Sequence, residues 1–446
     1  MFDILSKILN IKELRGKLLA TLLLLMVFRA GIFIPVPGVN VEGVQSYMRD
    51  LSGVLGGVMD MADMFTGGGL SRFAIFGLGI MPYITASIIF QFLVAIVPAL
   101  AAISKDGPSG RKKIAQYVRV STVLLCIIHS FMICLSMTGG SGGQSLIMPG
   151  VSAGQFMFYG IFSLTAGTMF LMWLGEQIDE FGIGNGISII IMAGILARLP
   201  HALNKLRGQI GAGGDSAIGP GTLAVLLILF VGMTLAVVMM TLGTRRIPYI
   251  QSKAIKGGVM VGGGDRQYLP LKVNQANVIP IIFAQAILQM VELVARSISP
   301  VHLAPMFSPS AFLYNLLYVG MIIFFCYFYT DLQFNHNEVA DNLKAGGMQI
   351  KGYHPGLQTA RYLKKIKTRI ALAGGVFLAA VAVIPQVISN FMGVDHDISG
   401  MLGGTGLLIV VGVALDVVQR IESYLLARNY EGFGMAGGRI RGRRGY

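Results

Sequence analysis

The sequence reads as an all-α polytopic membrane protein with ten transmembrane helices in two inverted five-helix halves. Three observations predict this. Of its 446 residues, 54% are hydrophobic and 13% charged, with a mean hydropathy of +0.69, more apolar surface than a soluble core can use. Windows of roughly 20 residues, the length that crosses hydrocarbon, recur at 18–35, 73–97, 114–137, 152–175, 183–200, 221–243, 276–298, 311–331, 370–392 and 402–421. Between them the basic residues alternate as they do across a membrane.

Residues 1–17, MFDILSKILNIKELRGK, form an amphipathic basic lead. No small-residue cleavage site follows the apolar run beginning at Leu18, so the first span is expected to stay in the mature protein. With both termini in the cytoplasm, the lead holds 4 Lys and Arg residues, the loop after span two with the start of the next helix holds 5, and the loops after spans six and eight hold 6 and 7. The tail, counted from Arg420, holds 6, which brings the cytoplasmic share to 28 of 35. The others, Arg29, Arg49, Arg72, Arg198, Lys205, Arg207 and Arg296, fall on the opposite face or lead into it. Five spans precede the glycine-rich connector from Gly211 to Gly221 and five follow. The halves 18–210 and 211–421 therefore enter with opposite topology, the arithmetic of an inverted repeat with a functional path between its halves. No residue-level match between the halves accompanies it.

Several elements depart from plain spans. The run FAIFGLGIMPYITASIIFQFL, Phe73 to Leu93, is long enough to cross a bilayer but carries Gly77, Gly79, Pro82, Thr85, Ser87 and Gln91. Polar groups at that depth face protein or a water-filled cavity, so it is either a kinked helix in a bundle or a helix that lines something. The loop from Val36 to Leu55 and the segment 58–70, VMDMADMFTGGGL, are too short to span. The second is a short apolar helix with a glycine hinge, either packed on the bundle surface or folded back into a pore and able to swing out. Asp60 and Asp63 within it should favour water over lipid. In WLGEQIDEFGIGNGISIII the fourth span ends in acidic residues and the fifth opens on Gly182, Gly184, Asn185 and Gly186. An amide so placed should find a partner across a helix interface, with Gln91 a candidate. The loops 244–274 and 335–368 are far longer than a connection requires, and both are basic. Anionic lipid headgroups, ribosomal RNA and an acidic partner would each be attracted to them, and charge alone does not choose.

Other chemistries find little support. Cys126, Cys134 and Cys326 lie in apolar runs without paired spacing and read as small packing residues. There is no P-loop, and the glycines near Gly184 form no complete dinucleotide fingerprint. The one GxSxG match, around Ser141, lies in a glycine-rich loop, outside any strand-to-helix elbow. His129 has no obvious nucleophile beside it and reads as a packed core residue. An ion-coupled transporter is the alternative that shares the inverted repeat, but it needs ionisable groups at mid-membrane. Glu176, Glu292, Asp331 and Asp416 lie towards span ends instead.

Four motifs, GLGIMPYITASIIFQFL, LGEQIDEFGIGNGISIIIMAGI, LPLKVNQANVIPIIFA, and NEVADNLKAGG followed by HPGLQTARYL, occur in order through the chain. Together they resemble the SecY family, channel subunits of the bacterial protein-export translocase. The resemblance implies a clamshell of two five-helix halves around an hourglass pore that passes unfolded secretory proteins and releases signal sequences sideways into lipid. By motif position Ile80, Ile84, Ile191, Ile282 and Ile409 would form its narrow ring. Taken singly each is an ordinary core isoleucine, and only the resemblance groups the five. A collar of β-branched side chains would grip an extended chain while offering an ion no substitute for its water.

The segment Met59, Asp60, Met61, Asp63, Met64, Phe65, Gly67, Gly68 and Gly69 would be the plug of such a channel. Spans two, three, seven and eight would form a lateral gate, with Gln91 and Asn185 in its polar cluster. No cofactor is implied, and with no nucleotide site the energy must come from a motor or a ribosome. The ATPase SecA or the ribosome would dock on Arg245, Arg246, Lys253, Lys256, Arg266 and Lys272 of one loop. On the other loop the matching residues are Lys344, Lys351, His354, Arg361, Lys364 and Lys365. The subunits SecE and SecG would accompany the chain in the bacterial inner membrane. The basic tail 422–446 is expected on the cytoplasmic side. This chain departs from the family pattern in three places. His354 stands where an arginine is usual, KGGVMVGGGDRQ where arginines are typical, and Asp179 where a small hydroxyl residue is common. Histidine is mostly neutral at pH 7, so a fixed cationic contact there is weakened or falls to Lys351. Nothing in the sequence gives Asp179 a role.

Overall fold

The computed structural model describes residues 11–50, 63–138, 146–211, 219–251, 254–256, 259–261, 266–276, 278–298, 304–307, 311–392 and 404–436. Its longer helices are α1 (Lys12–Ile32), α3 (Met81–Ile96), α5 (Gly107–Thr138), α6 (Ala153–Phe181), α7 (Gly186–Gly211), α8 (Pro220–Leu242), α9 (Ile279–Ile298), α10 (Phe312–Gln333), α12 (Leu357–Met392) and α13 (Thr405–Ala436). Shorter ones are α2 (Val41–Asp50), α4 (Pro98–Lys105) and α11 (His336–Ala345). Each predicted window thus holds a helix. Among the described residues six are long and apolar enough to cross a membrane, and α3 with α4, bent by 100°, would make a seventh. α1 carries charges at both ends, and α13 carries Asp416, Arg420 and Glu422 along its middle.

The described residues of Met1–Asp50, Ala62–Arg198 and Val413–Tyr446 make one compact unit. One of its boundaries differs from expectation. The second span does not begin at Phe73, because residues 73–80 are turns and the helix starts at Met81 with Pro82 in its first turn. Glycine explains this: Gly79 adopts φ +58°, and Gly77 lies where a Cβ would stand 2.9 Å from the Ala74 carbonyl. The turn packs into a cluster of Phe28, Ile32, Phe76, Leu171, Leu174 and Ile178, joined by Val413 and Val417. Phe76 stacks with Phe28 and Phe170 at ring separations of 6.4 and 5.8 Å. Lipid is as apolar as these side chains, so close fit rather than exclusion of water holds such a cluster. α6 supplies that fit through Gly167, where a Cβ would lie 1.9 Å from the Ile75 carbonyl. Cys126 and Cys134 are fully buried beside Phe73 and Phe156, as small packing residues should be.

The second unit comprises the described residues of Leu51–Met61 and Leu199–Gly412. Its two long loops fold together. Strands β1 (Thr244–Gln251) and β4 (Arg266–Lys272) pair antiparallel, with Arg245 opposite Leu271 and Pro248 opposite Tyr268. The short strands β2 (Ala254–Lys256) and β3 (Val259–Val261) pair antiparallel with each other. On its other edge β1 pairs with β5 (Met348–Ile350) of the second loop, giving the strand order β4-β1-β5. One face of this sheet buries Ile247, Leu271 and Ile350 against Leu343 of α11 and Leu363 and Ile366 of α12. The ninth span accordingly starts earlier than predicted: α12 begins at Leu357 inside the loop, its first turn tied to the preceding residues where the Thr359 hydroxyl donates to the His354 carbonyl at 2.9 Å.

Lys367 of α12 ties this lobe to α10. Its buried ammonium pairs with Asp331, donates to the Phe334 carbonyl at 3.1 Å and meets His336 Nδ1 at 3.4 Å. Burial, and then the adjacent Lys367 charge, hold the His336 pKa below its usual value, with Lys364 adding to this and Asp331 opposing it. The neutral ring is therefore the folded form. Its contribution is full above the ordinary histidine pKa near 6.5 and is lost as pH falls through the lowered folded value.

Two outcomes follow from these contacts. Acidification from about pH 7.5 to about pH 5.5 should lower the protection factors of the α11 amides, each exchange rate being divided into the intrinsic rate at the same pH, and His336→Asn should remove that acid sensitivity. Gly167→Ala should destabilise the first unit by about 1–3 kcal/mol through overpacking, read as a lowered thermal midpoint of the detergent-solubilised protein.

Candidate functional site

The segment 63–80 is the most constrained irregular backbone in the first unit. Residues 63–66 form a turn of helix, and Gly67 and Gly68 follow at φ +71° and +92°. Met59, Asp60 and Met61 lie outside the described residues. Asp63 was expected to seek water, and it does not: it is 3% exposed. Its Oδ1 accepts the Leu70 and Ser71 N–H groups at 2.8 and 2.9 Å and the Thr66 hydroxyl at 3.2 Å. The side chain thus answers backbone donors that the turn leaves open, which is why a carboxylate is stable here away from solvent. Arg198 of α7 approaches its Oδ2 at 3.3 Å, and Arg29 of α1 donates to the Gly67 carbonyl at 3.3 Å. Gly67 also abuts Gly194 of α7, where an added Cβ would meet its Cα at 2.9 Å. Met64 and Phe65 are buried, and Gly69 receives the Ala74 N–H at 2.8 Å.

The five isoleucines divide between the units. Ile80 precedes α3 and is buried, and Ile84 lies one turn on, its N–H bonded to the Ile80 carbonyl at 3.1 Å; both join the Phe76 cluster. Ile191 of α7 is buried in the same unit. Ile282 of α9 is half-buried and Ile409 of α13 is buried, both in the second unit. α3 packs on α5 in the first unit and α9 on α10 in the second. Both amides of the expected pair make local bonds. Gln91 donates to the Ser87 hydroxyl at 3.3 Å. Asn185 caps α7 by accepting the Ser188 N–H at 3.0 Å and its hydroxyl at 3.1 Å, the usual work of an asparagine just before a helix.

The folded loops present a cationic surface. Arg245, Arg246 and Lys272 are exposed on the β1–β4 hairpin, and Lys344, Lys351 and His354 on the second loop. Arg361, Lys364 and Lys365 line the open side of α12, while Leu363, Ile366 and Lys367 face inward. Lys256 and Arg266 lie on β2 and β4, and Lys253 is outside the described residues. Tyr353 stacks on Tyr362 at 4.0 Å, setting the turn that carries His354.

Three residues gain roles that sequence reasoning did not give them. Asp179 accepts the Gly186 N–H at 2.7 Å and so closes the GIGNG turn onto α7. Thr21 accepts the Ile183 N–H at 3.2 Å, tying the same turn to α1. Arg198 meets Asp63. A carboxylate before a glycine turn that opens a helix was a readable capping signal. The other two depend on tertiary contact and left no local trace. Glu176 and Asp416, weighed as transporter groups, pair with Arg119 at 2.7 Å and Arg420 at 3.0 Å on partly exposed positions. Ser141 is outside the described residues.

Comparison with known proteins follows this geometry. The family model described as SecY matches residues 74–418. The chain is 39% identical over 447 residues to the protein translocase subunit SecY of Thermotoga maritima, covering 100% of both chains. It is 42% identical over 442 residues to that of Thermus thermophilus, with 98% of each chain covered. Against the Escherichia coli K12 protein it is 42% identical over 427 residues, 94% of this chain and 93% of the relative. Among solved structures it resembles one described as "The structure of a protein conducting channel", with TM-score 0.62, 20% identity and 92% of each chain covered. It also resembles Sec61 in the canine ribosome-channel complex, with TM-score 0.59, 19% identity and the same coverage. The fold is thus that of protein-conducting channels, and the chain belongs to the SecY family.

Proposed function

We propose that this chain is the central subunit of a bacterial inner-membrane translocase, with both termini in the cytoplasm. It passes unfolded secretory proteins across the membrane and releases apolar signal and anchor helices into lipid. The observation that carries this reading is similarity to translocase subunits along the whole chain, at 39–42% identity. The aliphatic character of Ile80, Ile84, Ile191, Ile282 and Ile409 supports a dry collar, since none offers an ion a ligand. The buried turn 63–71 supports the plug role, because irregular backbone of this kind is tolerated in a membrane protein only where protein or water covers it. Gln91 and Asn185 suit a lateral gate, where polar contacts worth roughly 1 kcal/mol each yield when an entering helix offers better ones.

The joined basic loops suit the docking of SecA or a ribosome, with SecE and SecG completing the complex. The ribosome-bound relative Sec61 supports the second of these partners. His354 and the glycine-rich hairpin tip carry less fixed charge than the family pattern, so Arg361, Lys364 and Lys365 are the residues on which docking chiefly rests. The channel reading requires no catalytic step of its own, and the driving energy is the partner's.

Two measurements test the proposal. A cysteine replacing Ile84 or Ile282, in a background lacking Cys126, Cys134 and Cys326, should form a disulfide with a stalled secretory precursor only when SecA and ATP or a translating ribosome drives it. Absence of that bond under every driving condition, with substrate-dependent solute flux instead, would revive the transporter. Deleting residues 60–70 should leave the complex leaky to ions in planar bilayers, and unchanged conductance would count against the plug.

A further inference from the structure

We infer that Asp63 and Arg198 form the catch that holds segment 63–71 in its seat, an inference that rests on reading that segment as the plug. The two oxygens of Asp63 do different work. Oδ1 is occupied inside the segment by the Leu70 and Ser71 N–H groups and the Thr66 hydroxyl. Oδ2 is buried, takes no hydrogen bond, and lies 3.3 Å from the Nη2 atom of Arg198. Charge attraction alone therefore joins that oxygen to α7. The carboxylate is 4% exposed and the Arg198 side chain 15%, so both charges have given up most of their water.

This arrangement has two states in which its charges are satisfied, and little between them. In the seat they neutralise one another in a dry setting. With the segment displaced they are hydrated separately. A partial withdrawal, with the pair broken and water still excluded, leaves the buried Asp63 Oδ2 with neither Arg198 nor water and is strongly disfavoured. The surrounding contacts have no such step. Met64 and Phe65 pack against apolar neighbours, and Gly67 meets Gly194 backbone to backbone, so their attraction weakens smoothly with distance. The ion pair makes the seat bistable, and water entering with a hydrated polypeptide is the signal that releases it. Arg29, which holds the Gly67 carbonyl, steadies the hinge without touching the carboxylate, and is a positioning residue of the same device. Asp63 has no part in gripping the translocating chain on this view. It sets the resting position of the barrier.

The test uses the full translocase, with its partner subunits, reconstituted in planar bilayers, and reads resting ion conductance with no translocating chain present. Asp63→Asn keeps the size and the Oδ1 acceptor while removing the charge, and Arg198→Gln removes the opposing one. Each single variant should raise resting conductance roughly tenfold or more, at unchanged yield and thermal midpoint of the assembled complex. Combining them should give no more leak than the worse single variant, because both substitutions remove the same interaction. Arg198→Lys, which retains the charge, should stay near the parent level. Parental conductance in both single variants, alongside a leaky 60–70 deletion, overturns the catch and leaves the plug reading standing. Additive leaks in the double variant also overturn it. A deletion that does not leak overturns both readings.

Discussion

Backbone polar groups within hydrocarbon have no water to bond, and every other feature of this protein is arranged around that constraint. Helices satisfy it internally, which is why ten of them account for the predicted windows. Residues 35–40 and 67–80 cannot do so, because they are not helical, and their donors and acceptors are matched piecemeal. Val36 N–H bonds the Phe73 carbonyl at 2.9 Å, Ile75 N–H bonds the Ile34 carbonyl at 2.9 Å, and Asp63 takes two more donors. Such matching needs the chain to pass very close to its neighbours. Glycine makes that approach available, at Gly31 against the Phe76 ring and at Gly167 against the Ile75 carbonyl. The irregular segment, its carboxylate and the small residues of α1 and α6 are one solution to one problem.

The loops 244–274 and 335–368 solve the opposite problem. Water is available to them, so a sheet with one wet face is affordable. Its inner face closes on Leu343, Leu363 and Ile366, and its outer positions and the open side of α12 are left to arginine and lysine. Lys367 marks the border between the two regimes, its buried ammonium held by Asp331 and the Phe334 carbonyl.

Spans were legible because a membrane demands length and apolarity of each one separately, so a window of sequence contains its own evidence. What escaped was set by contacts between distant residues. Phe73 to Ile80 has helix-like hydropathy but starts as turns, since Gly79 at positive φ and Pro82 in the first turn outweigh it. Asp63 was read by its charge, and burial reversed the reading because two N–H groups eight residues or fewer away converge on it. The pairing of β1 with β5 joins positions about a hundred residues apart, and nothing local in MQI announces a strand. Asn185 shows the converse: its local cap is legible in its position before Gly186, where its Oδ1 accepts the Ser188 N–H.

α12 runs unbroken for 36 residues from the sheet lobe into the apolar part of the second unit. At 1.5 Å per residue the stretch before Pro385 is about 42 Å long, so a tilt of about 5° at one end displaces the other by roughly 4 Å. A displacement of the sheet lobe would therefore be carried along one continuous helix into the apolar part of the second unit.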